Sequence, residues 1–358
     1  SGLTPGTVTT PIVGGALDPT GIYPFTDFKA ERTKSYEFGL SLKLWNKLSA
    51  EVTYYHSNTY NQTFLGDLPE FTGYKQIYLQ AGNVENRGWE ASLSYSDQFK
   101  FGLGISSTLT FSSNINEIKE MVENYHTDLM DEPINIPEVL KDGGRVILKE
   151  GGTLGDLYSK ADLVRNDKGY IEMDANGALA KDANVEPIKL GSVLPKANFA
   201  FSNEFTYKGV SAGFLLSCRL GGIVYSATQA ALDQYGVSEA SAKARDAGGV
   251  VINGRTMINA QQWYETIGSS SGLPQYYTYS ATNIRLQEAH IGYTIPRRWL
   301  KNICDINVSL VGRNLWMIYC KAPFDPESVA TTSNYYQGID YFMMPSTRNI
   351  GFNVKFNF

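Results

Sequence analysis

The last nine residues alternate without a break: Ile350, Phe352, Val354, Phe356 and Phe358 are apolar, and Gly351, Asn353, Lys355 and Asn357 between them are small or polar. A period of two puts every second side chain on one face of an extended strand, so this segment presents one greasy face and one wet face. The pattern recurs along the chain. Tyr36, Phe38, Leu40, Leu42 and Leu44 form one run and Leu48, Ala50, Val52 and Tyr54 the next, with a tight hairpin expected at Asn46-Lys47. Trp89 to Tyr95 and Phe101 to Phe111 follow, joined at 97–99. Phe199 to Phe205 then leads through Tyr207-Lys208-Gly209 into Val210 to Leu220. Between Asn283 and Ile295 the apolar positions change parity from Leu286 to Ala289, which predicts a bulge, and Ile306, Val308 and Leu310 carry the next strand after Pro296. The count is nine strands.

Connections alternate in length. Joints of a few residues at 46–47, 97–99, 207–209 and 296–302 are answered by long polar segments at 61–84, 114–192, 226–278 and 320–346. Transmembrane barrels have this asymmetry, with short periplasmic turns and long external loops. The competing reading is a soluble antiparallel sheet with one wet face. Such a sheet has no reason to make the apolar face so aromatic or to pair each short turn with a long loop. Composition agrees: 13% aromatic residues, 23 Tyr and 34 Gly suit strands and turns. No run approaches the roughly 18 apolar residues of a membrane helix. A net charge of −5 gives no basic footprint for nucleic acid.

The fold expected is therefore all-β, a transmembrane antiparallel β-barrel with long external loops. Nine strands is an odd number that ends on the short-turn side, whereas single-chain bacterial barrels carry an even number, so the segment is expected to be part of a longer barrel. Residues 1–34, rich in Gly, Pro and Thr, are expected to be the end of an external loop, and 35–358 the barrel portion. The N-terminus lacks the features of a signal peptide, so an export signal is expected to lie upstream or to have been removed.

No catalytic constellation is apparent, and no enzyme activity is expected. His56, His126 and His290 stand far apart and have no zinc-type spacing. The stretch Asp167 to Gly177 lacks the ligand spacing of a calcium loop and reads as polar turns. Neither metal nor cofactor is expected. Cys304 and Cys320 fall at opposite ends of one strand, too far apart to bridge, and Cys218 reads as a small apolar strand residue. A short helix is expected within 227–246. Among the external loops, Trp263, Tyr264, Tyr276, Tyr277, Tyr335 and Tyr336 are the candidates for stacking on sugar rings or contacting peptide. The alternative for each is an interfacial girdle or plain loop packing.

The alternating terminal strand, with Phe352, Phe356 and Phe358, resembles the assembly signal that the barrel-insertion machinery reads in outer-membrane proteins. More specific phrases resemble the SusC/RagA family of TonB-dependent transporters. They are Glu31 to Gly39, Gly82 to Glu90, Ile284 to Pro296, Val311-Gly312-Arg313-Asn314-Leu315-Trp316 leading to Phe324-Asp325-Pro326-Glu327, and Pro345 to Phe352. Their order and spacing follow the family from about residue 30 to the end.

The resemblance implies a 22-stranded barrel of the bacterial outer membrane, with a plug domain and a TonB-binding box ahead of this segment. It implies import of oligosaccharides or peptides with a SusD-like surface lipoprotein, TonB acting through the preceding region, and outer-membrane lipid around the wall. Two other classes use similar strands: a passive porin or structural barrel without a plug, and a soluble glycan-binding β-protein.

Overall fold

In a computed structural model, residues 29–67, 74–125, 134–136, 138–141, 145–330 and 337–358 are described, with short stretches at 12–13, 16–17 and 21–23. Nine antiparallel strands form one sheet in chain order: β1 (Arg32–Leu44), β2 (Leu48–Asp67), β3 (Gln76–Gln98), β4 (Leu103–Glu120), β5 (Ala197–Tyr207), β6 (Val210–Leu220), β7 (Asn283–Ile295), β8 (Asp305–Cys320) and β9 (Asn349–Asn357). Each strand pairs with its sequence neighbour, the simplest up-and-down order. Ile22–Tyr23 adds in parallel at the start of β3. Among the described residues β1 and β9 have one strand neighbour each, so the sheet is open.

The alternation sorts into two faces that run unbroken across the strands. On one face Phe38 sits opposite Tyr54, Tyr54 opposite Trp89, Leu93 opposite Leu109, and Leu109 opposite Phe201. Farther along, Ile291 faces Leu310 and Leu310 faces Phe352. Tyr54 and Trp89 pack at 4.9 Å between ring centroids, and Phe111 and Phe199 at 5.0 Å. These side chains are nonetheless exposed: Phe38 is 68%, Leu310 54% and Phe352 81% accessible. An apolar surface of that extent is far beyond what a soluble monomer shows, and it requires lipid or another apolar body against it. The opposite face carries Glu51, Thr53, Glu90, Ser92, Thr110, Ser112, Asn198 and Glu204.

The short joints differ in detail from expectation. The first turn comprises Trp45, Asn46 and Lys47, with Leu44 opposite Leu48. Trp45 (φ 51°) and Asn46 (φ 54°) are both left-handed, and the Lys47 N–H donates to the Leu44 carbonyl at 3.0 Å. Between β5 and β6, Lys208 (φ 48°) and Gly209 (φ 88°) form a two-residue turn between the paired Tyr207 and Val210, the conformation that matches strand twist. The joint placed at 97–99 lies at 99–102 instead, because β3 runs on to Gln98 and Gly102 (φ 98°) closes the turn.

The expected bulge is present. Leu286 pairs with Trp316 and Glu288 with Arg313, so Gln287 faces an extra pair of residues on β8. Asn314 takes φ 51° there, a conformation that asparagine tolerates better than most residues.

The largest departure from expectation is in the long connections. β2, β3 and β4 are 20, 23 and 18 residues long, well past the roughly 9–11 that cross a bilayer. Segments read as loop at 61–67 and 76–84 are paired strand. Beyond them the described residues of the connections 121–196, 221–282 and 321–348 pack into a cap at the same end of the sheet. The cap has a four-stranded sheet (138–141, 146–149, 156–159, 188–192), helices α1 (Ala227–Gln234), α2 (Glu239–Asp246) and α3 (Ala260–Gly268), and a parallel pairing of Tyr225–Ser226 with Ile339–Asp340. The single helix expected in 227–246 is thus two, capped by Ser226 and Ser238, and α3 is additional.

The buried core of the molecule lies in the cap and the strand ends beneath it. Phe64, Val84, Ile118, Val146, Leu148, Leu157, Val193 and Leu273 are all within 1% of fully buried. The wall is held by its hydrogen-bond ladder and by whatever covers its apolar face, whereas the cap packs on a buried apolar core that it shares with the strand ends.

Candidate functional site

Both the polar face of the wall and the cap offer groups to a solute, and their chemistry differs. On the polar face of the wall, polar contacts join the strands: Glu204 on β5 meets His290 on β7 across the intervening β6, and Arg313 on β8 pairs with Glu288 on β7. His290 Nε2 lies 2.9 Å from Glu204 Oε2, and Arg313 Nε donates to Glu288 Oε2 at 2.9 Å. Gly213 stands between Glu204 and His290 in register, and a Cβ there would fall on both side chains, so the glycine lets the pair close over the backbone. Glu51 and Glu90 line a shallow 430 Å³ depression with Thr53, Ser92, Thr110 and Asn198. Nearby, Tyr55 lies across Gly88 and donates to Asn114 Oδ1 at 3.1 Å. This surface is hydrophilic and rich in hydroxyls, suited to a wetted passage and to hydrogen-bonding neighbours.

At the cap end of β7 the motif residues converge. Arg285, 5% exposed, donates to Asp325 through Nη2–Oδ1 at 2.6 Å and Nη1–Oδ2 at 3.1 Å. Asn314 Oδ1 accepts from Arg285 at 3.4 Å, Asn283 Nδ2 donates to Glu327 at 3.2 Å, and Glu327 N–H donates to Asp325 Oδ1 at 3.0 Å. Burial works to raise the Asp325 carboxyl, but the hydrogen bonds from Arg285, the Glu327 N–H and Ser346 override it and hold it below the usual carboxylate range. Three phrases singled out in the sequence therefore form one latch, which ties the last long connection to the wall. A second tie joins Ser226 Oγ to Asp340 Oδ2 at 2.5 Å.

Of the candidate aromatic residues, Trp263, Tyr264, Tyr276 and Tyr277 are brought together. Trp263 and Tyr276 meet edge-on at 5.5 Å, and Tyr277 is buried at 2% exposure. Trp263, Tyr264 and Tyr276 are half-buried against the cap core. Burial raises the phenols of Tyr264, Tyr276 and Tyr277 above the ordinary value. Tyr335 and Tyr336 lie outside the described residues, as does His126. Phe352, Phe356 and Phe358 are exposed along or beside edge strand β9.

Asn166 and Asp174 close side-chain turns in the 167–177 stretch: Asn166 Oδ1 accepts from Lys168 and Tyr170, and Asp174 Oδ1 from Asn176 and Ala178. Among the described residues no His, Cys, Asp or Glu cluster has metal-binding geometry, and Cys218, Cys304 and Cys320 are free thiols.

The sequence reading missed a cavity of about 440 Å³ between the first and second cap connections. Arg145, Tyr158, Lys160, Tyr225, Pro274 and the serines at 269–271 line it. The only advance signal was the run Ser269-Ser270-Ser271-Gly272, a loop composition without periodicity.

An open up-and-down sheet with an apolar outer face, short turns at one end and a folded cap at the other defines a transmembrane β-barrel wall. The profile described as "TonB dependent receptor-like, beta-barrel" matches residues 2–315, and the chain belongs to that family, the barrel of TonB-dependent receptors of the bacterial outer membrane. The chain is 23% identical to TonB-dependent receptor P3 of Formosa agariphila, over 92% of this chain and 35% of that protein. With TonB-dependent receptor P26 of the same organism it shares 24% identity over 91% of this chain and 34% of that protein. It thus spans about a third of the length of the curated relatives it matches.

Among solved structures, the RagAB peptide importer is similar in fold. The open-open state superposes with a TM-score of 0.68 at 17% identity, covering 93% of this chain and 35% of that one. The closed-closed state gives 0.66 at 18%, covering 92% and 35%. This likeness of fold agrees with the SusC/RagA resemblance of the motifs.

Proposed function

We propose that this chain is the C-terminal wall and outer cap of a TonB-dependent importer of oligosaccharides or peptides. The residues ahead of β1 belong to an external loop, and the barrel portion begins at Arg32, three residues before the boundary expected from the sequence pattern. Preceding strands of the same protein close the sheet, since an open edge in hydrocarbon leaves backbone groups unpaired at several kcal/mol each. The observation that carries this reading is the pairing of a continuous apolar outer face with a hydroxyl- and carboxylate-rich inner face, topped by a cap with its own core.

In this account the wall performs no chemistry and no enzyme activity is required. Solute selection falls to the inner face and the cap, where the half-buried rings of Trp263, Tyr264 and Tyr276 are the aromatic groups offered, together with Tyr335 and Tyr336. Energy comes from TonB acting on the region ahead of this chain, and a SusD-like lipoprotein covers the cap. The insertion machinery reads Phe352, Phe356 and Phe358.

The test is uptake of labelled oligosaccharide and peptide mixtures by cells expressing the whole protein, with and without a protonophore and in a strain lacking TonB. Uptake that stops in both conditions supports the importer. Uptake that persists identifies a passive pore and overturns the proposal.

A further inference from the structure

The cavity between the first two cap connections is lined by cations and hydroxyls. Among the described residues, its lining contains two cations, Arg145 and Lys160, and no carboxylate. Arg145 precedes the 146–149 strand, where its carbonyl accepts from the Tyr158 N–H at 2.7 Å. Its guanidinium lies 4.9 Å from the centre of the Tyr225 ring, so it bridges the two connections and is held at the wall of the cavity. Lys160 is exposed and has no ion-pair partner among the described residues.

Asp162, just past the lining residue Ala161, is engaged elsewhere: its Oδ1 accepts from Gln275 Nε2 at 3.1 Å and from the Leu163 N–H at 2.8 Å. On the opposite side the serines at 269–271 supply hydroxyls, and Lys181 Nζ donates to the Ser271 carbonyl at 3.0 Å, which adds a third cation near the rim. The Tyr158 hydroxyl, on a residue 1% exposed, has no hydrogen-bond partner among the described residues. A buried donor left unmade is costly unless a ligand or solvent completes it.

A held cation, an exposed cation, hydroxyls and a phenol without a partner among the described residues form a receptor for an acidic group flanked by hydrogen-bonding atoms. We infer that this cavity is a subsite for a carboxylate-bearing ligand, with Arg145 and Lys160 binding the carboxylate and the serine run the adjacent polar atoms. The inference rests on the import reading and narrows it to acidic cargo. Two sources share this chemistry, a uronic-acid oligosaccharide and the C-terminus of a peptide.

The test is equilibrium binding to the whole purified outer-membrane protein of two probe pairs: tetragalacturonate against its methyl ester, and tetra-alanine against its C-terminal amide. It is repeated on a variant carrying Arg145→Gln and Lys160→Glu. Lys160→Glu alone, at an exposed position, guards against misfolding caused by loss of the Arg145–Tyr225 contact. The expected result is that the acidic member of one pair binds about tenfold more tightly, and that this preference disappears in the double variant and falls in the single one. The responding pair names the source. Equal binding of acidic and neutral members, or a preference that survives both variants, overturns the subsite. Either result leaves protonophore-sensitive uptake of the unmodified protein as a separate measurement, so the import reading stands or falls on its own.

Discussion

Arg285 on β7 and Asp325 in the last long connection, forty residues apart, form a doubly bonded ion pair at 2.6 and 3.1 Å in a site where both side chains are at least nine-tenths buried. A buried pair is weak evidence of net stabilisation, but removing one partner strands the other charge in a low-dielectric site. Arg285→Ala is therefore expected to destabilise the attachment of residues 321–348 by about 3 kcal/mol or more. Limited proteolysis should then cut this connection far faster than in the parent, while the 121–196 connection is cut at an unchanged rate.

The same pair predicts a direction with pH. Asp325 lies below its ordinary value of 3.8, so the stability it contributes is fully present above that value and is lost as pH falls through the lower folded one. Protection of the last connection should be flat from neutral pH down to the ordinary carboxylate range and collapse only below it. In Asp325→Asn the protection is reduced at every pH and this acid step is absent.

Gly88 separates a steric role from a merely permissive one. A Cβ at Gly88 would fall on the Ser113 carbonyl and on the Tyr55 ring that crosses it, whereas at Gly39 the nearest atom, Thr53 Oγ1, is 3.5 Å away. Gly88→Ala is expected to cost roughly 1–3 kcal/mol because backbone must shift, and Gly39→Ala little. Urea midpoints of the two variants, read by heat-dependent gel mobility, check the difference.

Neighbouring residues on β4 face opposite environments. Leu109 lies in the apolar band, opposite Leu93 and Phe201, and Thr110 lies on the polar face, opposite Ser92 and Ala200. Leu109→Arg should cost about 2–4 kcal/mol and Thr110→Arg much less. Folding yield into liposomes should fall for the first and hold for the second.

The wall was readable because one physical constraint, apolar outward and polar inward, is written into every second residue from Tyr36 to Leu44 and again from Ile350 to Phe358. It ceased to be readable where both faces meet water or protein. Past Tyr60 the left-handed Asn61 (φ 55°) and the register shift at Asn83/Val84 interrupt the period, so the paired ends of β2 and β3 look like loop. The cap core was hidden for another reason. Val146, Leu148 and Leu157 sit in strands of four residues, too short for periodicity to show, and they meet only through contacts between distant connections. Helix α3 did leave a signal: Asn259 Oδ1 accepts from the Gln261 and Gln262 N–H groups, an N-cap ahead of Ala260. Of the candidate aromatics, the sequence marked Tyr276 and Tyr277 alike, and only packing separates the half-buried ring from the buried one.

The measurement that bears most directly on the whole account is the environment of consecutive positions along β4. Single spin labels at residues 105 to 112 of the whole protein in liposomes would report accessibility to oxygen, which concentrates in lipid, and to a water-soluble nickel chelate. The account predicts strict alternation, with oxygen favoured at Ile105, Ser107, Leu109 and Phe111 and the chelate at Ser106, Thr108, Thr110 and Ser112. Uniform access to the chelate at all eight positions, or alternation of the opposite sense, would contradict a lipid-facing barrel wall.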